Sequence, residues 1–105
     1  MAAPEFQTVA RVDEIPPGSL KAVQVGDAHV ALANVDGEVF AVQGECIHLQ
    51  GPLAEGHLDG ERLTCPWHGW QYDVRTGENF FDRAIRLEQY DVRVEGGEVR
   101  VAVSA

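Results

Sequence analysis

The chain has 105 residues, 45% of them hydrophobic, and its eight basic and 17 acidic residues give a net charge of −9. This length predicts one domain over residues 1–105 with a modest hydrophobic core. The acidic balance argues against nucleic acid or an anionic membrane as partner, because both attract basic proteins. It suits either a partner with a basic docking face or simply solubility, and the sequence favours neither.

The N-terminal residues Met1–Phe6 carry neither the basic nor the apolar part of a signal peptide. No apolar run in the chain is long enough to span a membrane, so we expect a cytoplasmic protein. The chain continues as short strands, predicted over Phe6–Val12, Lys21–Val25, His29–Val35, Glu38–Gln43, Arg62–Thr64, Trp70–Val74, Arg86–Glu95 and Glu98–Val103.

Turn residues separate these strands at Pro16-Pro17-Gly18, Gly26-Asp27, Asp36-Gly37 and Gly96-Gly97. No segment shows a sustained helical period. The predicted fold class is therefore all-β, a small sandwich or barrel.

The metal-binding residue types collect in the two segments that fit no strand, Gly44–Gly60 and Cys65–Gly69. The chain's two cysteines form the pattern C-x-H-x16-C-x-x-H, with Cys46 and His48 in one pair and Cys65 and His68 in the other. Each pair places a thiolate and an imidazole on one short loop, close enough to serve one metal centre.

Two kinds of centre compete for this pattern. A Cys₂His₂ zinc site usually pairs cysteine with cysteine and histidine with histidine. In a [2Fe–2S] centre with mixed ligands, two thiolates bind one iron and two imidazoles bind the other. Two facing loops that each carry one cysteine and one histidine can clamp both irons, so the pattern favours iron–sulfur over a zinc-binding interaction module.

The motifs Cys46-Ile47-His48-Leu49-Gln50-Gly51-Pro52-Leu53 and Cys65-Pro66-Trp67-His68-Gly69-Trp70-Gln71-Tyr72-Asp73 resemble the Rieske family, both its soluble ferredoxins and the Rieske domains of ring-hydroxylating oxygenases. The resemblance covers nearly the whole chain. It implies a β base with a smaller two-loop cluster-binding subdomain, here about residues 44–77. It also implies one [2Fe–2S] cluster per chain, with Cys46 and Cys65 on the inner iron and His48 and His68 on the outer.

By the same resemblance the chain is no enzyme in itself. It would carry single electrons from a flavin-dependent reductase to a terminal oxygenase or another acceptor. The cluster-less small subunit of nitrite reductases is an alternative relative with a structural or regulatory role. A self-contained oxygenase is excluded, because only His29 and His57 remain for a second iron site.

The chain departs from the high-potential branch of the family. That branch has an extra cysteine in each loop, where this chain has Gly51 and Trp67, and a serine donor where it has Trp70. The sequence therefore resembles the low-potential branch. Tyr72 matches a tyrosine that donates to a cysteine ligand in the high-potential branch, although packing alone would also explain it. Trp67 is interpreted equally as a shield or as part of a docking face, and Phe80 and Phe81 are predicted to lie in the core.

Overall fold

Short strands joined by tight turns make up almost all of the regular structure. The computed structural model describes residues 6–47, 51–67 and 69–102. These residues form nine strands: β1 Phe6–Arg11, β2 Leu20–Val25, β3 Ala28–Val35, β4 Glu38–Gln43, β5 His57–Asp59, β6 Arg62–Thr64, β7 Gln71–Asp73, β8 Gln89–Glu95 and β9 Glu98–Ala102. Two 3₁₀ helices of three residues each accompany them, Val12–Glu14 and Leu53–Glu55. The described residues contain no helix that is long and apolar enough to cross a membrane.

The base of the molecule is a six-stranded antiparallel sheet in the order β1-β9-β8-β4-β3-β2. Its edge strands β1 and β2 contact each other, so the sheet is nearly closed into a barrel. The predicted hairpin turns are present. At Asp36-Gly37 both residues have positive φ, 51° and 99°, as a two-residue turn between right-twisted strands requires.

A smaller three-stranded sheet, in the order β5-β6-β7, is inserted between β4 and β8. Strands β4 and β8 pair directly, Ala41 with Tyr90 and Val42 with Gln89. The inserted residues 44–88 therefore leave the base and return to it at the same place. We call residues 44–88 the loop lobe. Both predicted cysteine ligands belong to it.

Strand β3 is buried on both faces and separates two hydrophobic cores. Val30 and Leu32 face the barrel interior, with residues such as Val99 and Val101. Ala31 and Ala33 face the loop lobe, with its leucines, Tyr72 and both cysteines. Successive strand residues point to opposite faces, so the small alanines provide a flat surface on which the lobe packs. The lobe is thereby fixed to the most buried strand of the base.

The all-β prediction is confirmed, and β4 and β6 have the predicted bounds. The predicted strand from Arg86 begins only at Gln89, and the segment Gly44–Gly60, predicted to contain no strand, includes β5.

The placement of Phe80 and Phe81 in the core is wrong, because their side chains are 46% and 64% exposed. The guanidinium carbon of Arg62 lies 4.8 Å from the centre of the Phe80 ring. The rings of Phe81 and Trp70 pack edge to face, with their centres 4.8 Å apart. Both phenylalanines cover surface groups of the loop lobe.

Candidate metal centre

The two cysteine loops are closed by the same backbone hydrogen bond. The N–H of Cys46 donates to the carbonyl of Gly51 at 2.8 Å, and the N–H of Cys65 donates to the carbonyl of Trp70 at 2.7 Å. In each case the partner lies five positions after the cysteine. The first loop is further held by a bond of 2.9 Å from the N–H of Leu53 to the carbonyl of Gly44. Each cysteine therefore stands at the fixed beginning of a closed loop.

The side chains of Cys46 and Cys65 converge in the core between base and lobe. They are 1% and 2% exposed, and both are free thiols. Burial raises the pKa of the Cys65 thiol above its ordinary value, the backbone N–H of Trp67 lowers it, and the neighbouring Cys46 raises it again. A metal ion would reverse this balance, because its positive charge favours thiolates and they favour it. The two sulfurs are thus placed to share one centre.

A hydroxyl group contacts the first of these sulfurs. Tyr72, at the middle of β7, is fully buried, and its Oη lies 3.2 Å from Sγ of Cys46. Burial and the contact with Cys46 raise the pKa of Tyr72 well above its ordinary value, while the backbone N–H of Ile47 and the Asn79 side chain lower it. A metal-bound cysteine sulfur carries no proton, so in the loaded protein the tyrosine is the donor of this bond.

Gly51 leaves space for the second sulfur. A Cβ atom at this position would lie 2.8 Å from Sγ of Cys65 and 3.2 Å from the ring of Trp67. These distances are shorter than ordinary van der Waals contact, so glycine is the residue that fits. By the same resemblance, Gly51 and Trp67 are the two positions where the high-potential branch carries its extra cysteines, and here they lie close together across the two loops.

The structure brings together the sulfur half of the predicted ligand set. Cys46 and Cys65 lie together in the core, whereas His48 and His68 lie outside the described residues. Among the residues that are described, no group of three or more histidine, cysteine or acidic side chains could hold a metal ion. His29 in β3 and His57 in β5 are exposed. Two converging buried thiols, one hydroxyl and a glycine that makes room for sulfur fit the thiolate side of an iron–sulfur centre.

Two further features of the lobe were not identified by sequence reasoning, apart from the possible docking role of Trp67. Four large apolar side chains in it are strongly exposed, Ile47, Trp67, Phe80 and Phe81, and we call them the apolar rim. Asn79 is a buried polar residue, 1% exposed, immediately before the two phenylalanines. Asn79 and Asp82, which flank the two phenylalanines, are turn-forming residue types, and this signal could have predicted the outward course of Phe80 and Phe81.

Comparisons with known proteins agree with this geometry. A family model described as the Rieske [2Fe-2S] domain matches residues 5–91. The biphenyl dioxygenase ferredoxin subunit of Pseudomonas sp. is 40% identical over 94% of this chain and 93% of its own length. The ferredoxin of carbazole 1,9a-dioxygenase from Nocardioides aromaticivorans is 30% identical with a TM-score of 0.87, covering 94% of this chain and 98% of that one.

A further solved structure places a similar chain in an assembly. It is described as a complex of reduced oxygenase and oxidized ferredoxin in carbazole 1,9a-dioxygenase. The matched chain is 32% identical, with a TM-score of 0.86, and the match covers 95% of this chain and 94% of that one.

Proposed function

The chain belongs to the Rieske [2Fe–2S] family, and on this premise we propose that Cys46, His48, Cys65 and His68 hold its cluster, one per chain. We further propose a single Rieske domain over residues 1–105, with cluster-binding loops at about 44–77. The observation that carries the ligand assignment is the convergence of two buried free thiols at the bases of two similarly closed loops.

The chain is a one-electron carrier and an electron-transfer component of an oxygenase system, as its relatives named ferredoxin components are. The cluster supplies the one-electron redox chemistry. The protein's own residues hold and tune it. Cys46 and Cys65 belong to the buried core, Tyr72 would donate to the sulfur of Cys46 once that sulfur binds metal, and Gly51 leaves room beside the sulfur of Cys65.

The ligand assignment is tested by alanine substitution of each of the four residues, with His29→Ala and His57→Ala as matched controls. Each ligand variant should lose the visible absorbance and the paramagnetic signal of a reduced [2Fe–2S] centre, and both controls should keep them. The wild-type protein should be red-brown, with two irons and two sulfides per chain. A colourless protein would favour a cluster-less module, and stoichiometric zinc would favour an interaction module.

An oxygenase component accepts the electron. We propose a flavin-dependent reductase as the donor, because a flavin can take up an electron pair and release its electrons one at a time to a one-electron carrier. We also propose that the protein acts in the cytoplasm, where reduction of its two cysteines is maintained before cluster assembly.

The apolar rim is proposed as the face that docks on the oxygenase. Four of the five large apolar side chains that are strongly exposed in the described residues lie in the loop lobe, and Phe81 contacts Trp70 at the end of the second cysteine loop. Aromatic side chains dominate the energetics of such interfaces. Docking here would place the partner next to the cluster loops, which shortens the path of the electron.

A pair of variants tests this docking face. Phe81→Ser should slow electron transfer to the oxygenase at low protein concentration, and the loss should vanish at saturating concentration. Val94→Ser removes a comparable exposed apolar group, 47% exposed, from β8 in the base and should have no such effect. Equal effects of the two substitutions would contradict the assignment.

A further inference from the structure

Asn79 is a buried polar residue whose role the electron-carrier function leaves open. It is 1% exposed, and in the described part of the chain its amide nitrogen Nδ2 has no hydrogen-bond partner. Buried polar atoms in native proteins are nearly always paired, so an exception calls for a reason.

The two ends of the Asn79 amide are distinguished by its other contacts. Its Oδ1 accepts the backbone N–H of Phe81 at 2.8 Å and that of Asp82 at 3.2 Å. An amide NH₂ group cannot accept these bonds, so the oxygen faces the turn and the nitrogen faces the opposite way. The turn that carries Phe80 and Phe81 therefore fixes the orientation of this side chain.

Tyr72 is the cross-strand neighbour of Asn79. The two residues pair as an antiparallel bridge next to β7, supported by a bond of 3.0 Å from the N–H of Phe80 to the carbonyl of Gln71. Residues paired in this way have their side chains adjacent on one face of the sheet. Both side chains are buried, and the Asn79 side chain lowers the pKa of the Tyr72 hydroxyl, which is the direction expected from a nearby amide N–H group.

We propose that Asn79 is a positioning residue for the cluster: its amide faces the oxygen of the Tyr72 hydroxyl and directs the hydroxyl hydrogen to Sγ of Cys46. A hydroxyl has one hydrogen and can also accept. With the Asn79 nitrogen facing the oxygen and Oδ1 held by the turn, the buried hydroxyl has the sulfur 3.2 Å away as its acceptor. The inference rests on the proposed ligation of the cluster by Cys46.

This arrangement has a consequence for the redox equilibrium. A hydrogen bond to a ligand sulfur stabilises the reduced, more negative cluster and raises the reduction potential. Without the Asn79 amide, the Tyr72 hydroxyl would sample other directions and the bond to Cys46 would weaken. The turn of the apolar rim thus stabilises the reduced state through Asn79.

The test is a double-mutant cycle on the holoprotein, read by protein-film voltammetry. Asn79→Leu, neutral and similar in size, should shift the equilibrium toward the oxidised form by about three- to tenfold, tenfold being 59 mV for one electron. In a Tyr72→Phe background most of that shift should disappear, because no hydroxyl remains to be directed.

Two further variants serve as a control and as a replacement for Asn79→Leu. Asn34→Leu is the matched control, since Asn34 is 3% exposed, accepts the N–H of Gly37 at 2.7 Å and donates to the carbonyl of Ile15 at 2.6 Å within the base. It should leave the potential unchanged. Asn79→Asp keeps the oxygen that accepts the N–H groups of Phe81 and Asp82 but removes the amide N–H donor. It replaces Asn79→Leu in the cycle if the leucine variant does not retain its cluster. The added negative charge shifts the potential equally with Tyr72 and with Phe at position 72, so this contribution cancels in the double-mutant cycle.

Equal shifts with and without the Tyr72 hydroxyl, in proteins that retain their cluster, would overturn the role of Asn79 and leave the proposed function intact. An unshifted potential in the Asn79 variants would do the same. A wild-type protein that binds no [2Fe–2S] cluster would overturn the proposed function, and this inference with it.

Discussion

The hydroxyl of Tyr72 and the sulfur of Cys46 lie 3.2 Å apart in the core, although 26 positions separate them in the chain. The contact joins β7 of the loop lobe to the start of the first cysteine loop. Both interpretations of Tyr72, packing and contact with a ligand, therefore apply. The side chain is fully buried, and its hydroxyl also contacts the predicted ligand Cys46.

Removing this hydroxyl should lower the reduction potential. Tyr72→Phe deletes a donor to the sulfur of Cys46, so the reduced cluster loses stabilisation of about 0.5–1.5 kcal/mol, typical of one hydrogen bond. Voltammetry of the variant measures the change, with cluster content checked by visible absorbance. Tyr90→Phe, in β8 of the base, is the control and should leave the potential unchanged. A potential unaffected in Tyr72→Phe would show that the contact is packing alone.

The wild-type midpoint should lie in the lower third of the Rieske range, roughly −150 to 0 mV. Trp70 stands where the high-potential branch has a serine donor, and Gly51 and Trp67 stand where it has a disulfide.

The midpoint should also change little between about pH 6 and pH 8, because no ligand proton is exchanged there. Trp70→Ser should raise it if the hydroxyl reaches a sulfide. A wild-type value above about +150 mV would contradict assignment to the low-potential branch.

Gly51→Ala should impair cluster assembly. The added Cβ would lie 2.8 Å from Sγ of Cys65 and 3.2 Å from the Trp67 ring, so one of the two loops must move. Overpacking of this kind costs about 1–3 kcal/mol, and it acts directly on a ligand sulfur. The measurement is iron and sulfide per chain after reconstitution, with far-UV circular dichroism to confirm the fold. Full cluster content in a folded variant would show that the loops adapt freely.

Alkaline pH should destabilise the protein through its two tyrosines. Burial raises the pKa of Tyr72, and burial together with the Glu88 carboxylate raises the pKa of Tyr90. A raised folded-state pKa gives stability that is complete below the unfolded value of about 10 and is lost as pH rises toward the folded value. Neither phenol should therefore titrate near pH 10 in the folded protein, and the free energy of unfolding should fall above it. Phenolate absorbance and urea unfolding at several pH values measure both effects, and ordinary titration of both tyrosines would contradict them.

Electron transfer to the physiological partner should slow as salt is added. The net charge of −9 favours association steered by a basic surface, and the Debye length of about 10 Å at 0.1 M salt screens that attraction. Stopped-flow rates measured from about 10 to 300 mM salt test the expectation. Rates that stay flat over this range would show that the acidic surface serves solubility only.

The sequence by itself determined the features that depend on local chemistry. Alternating apolar residues and Asp-Gly or Gly-Gly turns predicted the hairpins of the base, because strand pleat and turn geometry are set by neighbouring residues. The C-x-H and C-x-x-H spacings favoured an iron–sulfur centre, because each short loop brings one cysteine and one histidine together, and the motifs around them resembled the Rieske family. His48 and His68 remain a prediction on that basis.

Only the tertiary structure decided the contacts that tune the centre. Tyr72 meets Cys46, Gly51 meets Cys65, and Asn79 lies beside Tyr72 because β7 and the two loops pack on the alanine face of β3. The same packing left Phe80 and Phe81 at the surface, against their hydrophobicity, since the turn bound to Asn79 directs them outward. These contacts join distant positions, and their energies depend on burial and on the direction of single hydrogen bonds, which no local pattern in the chain encodes.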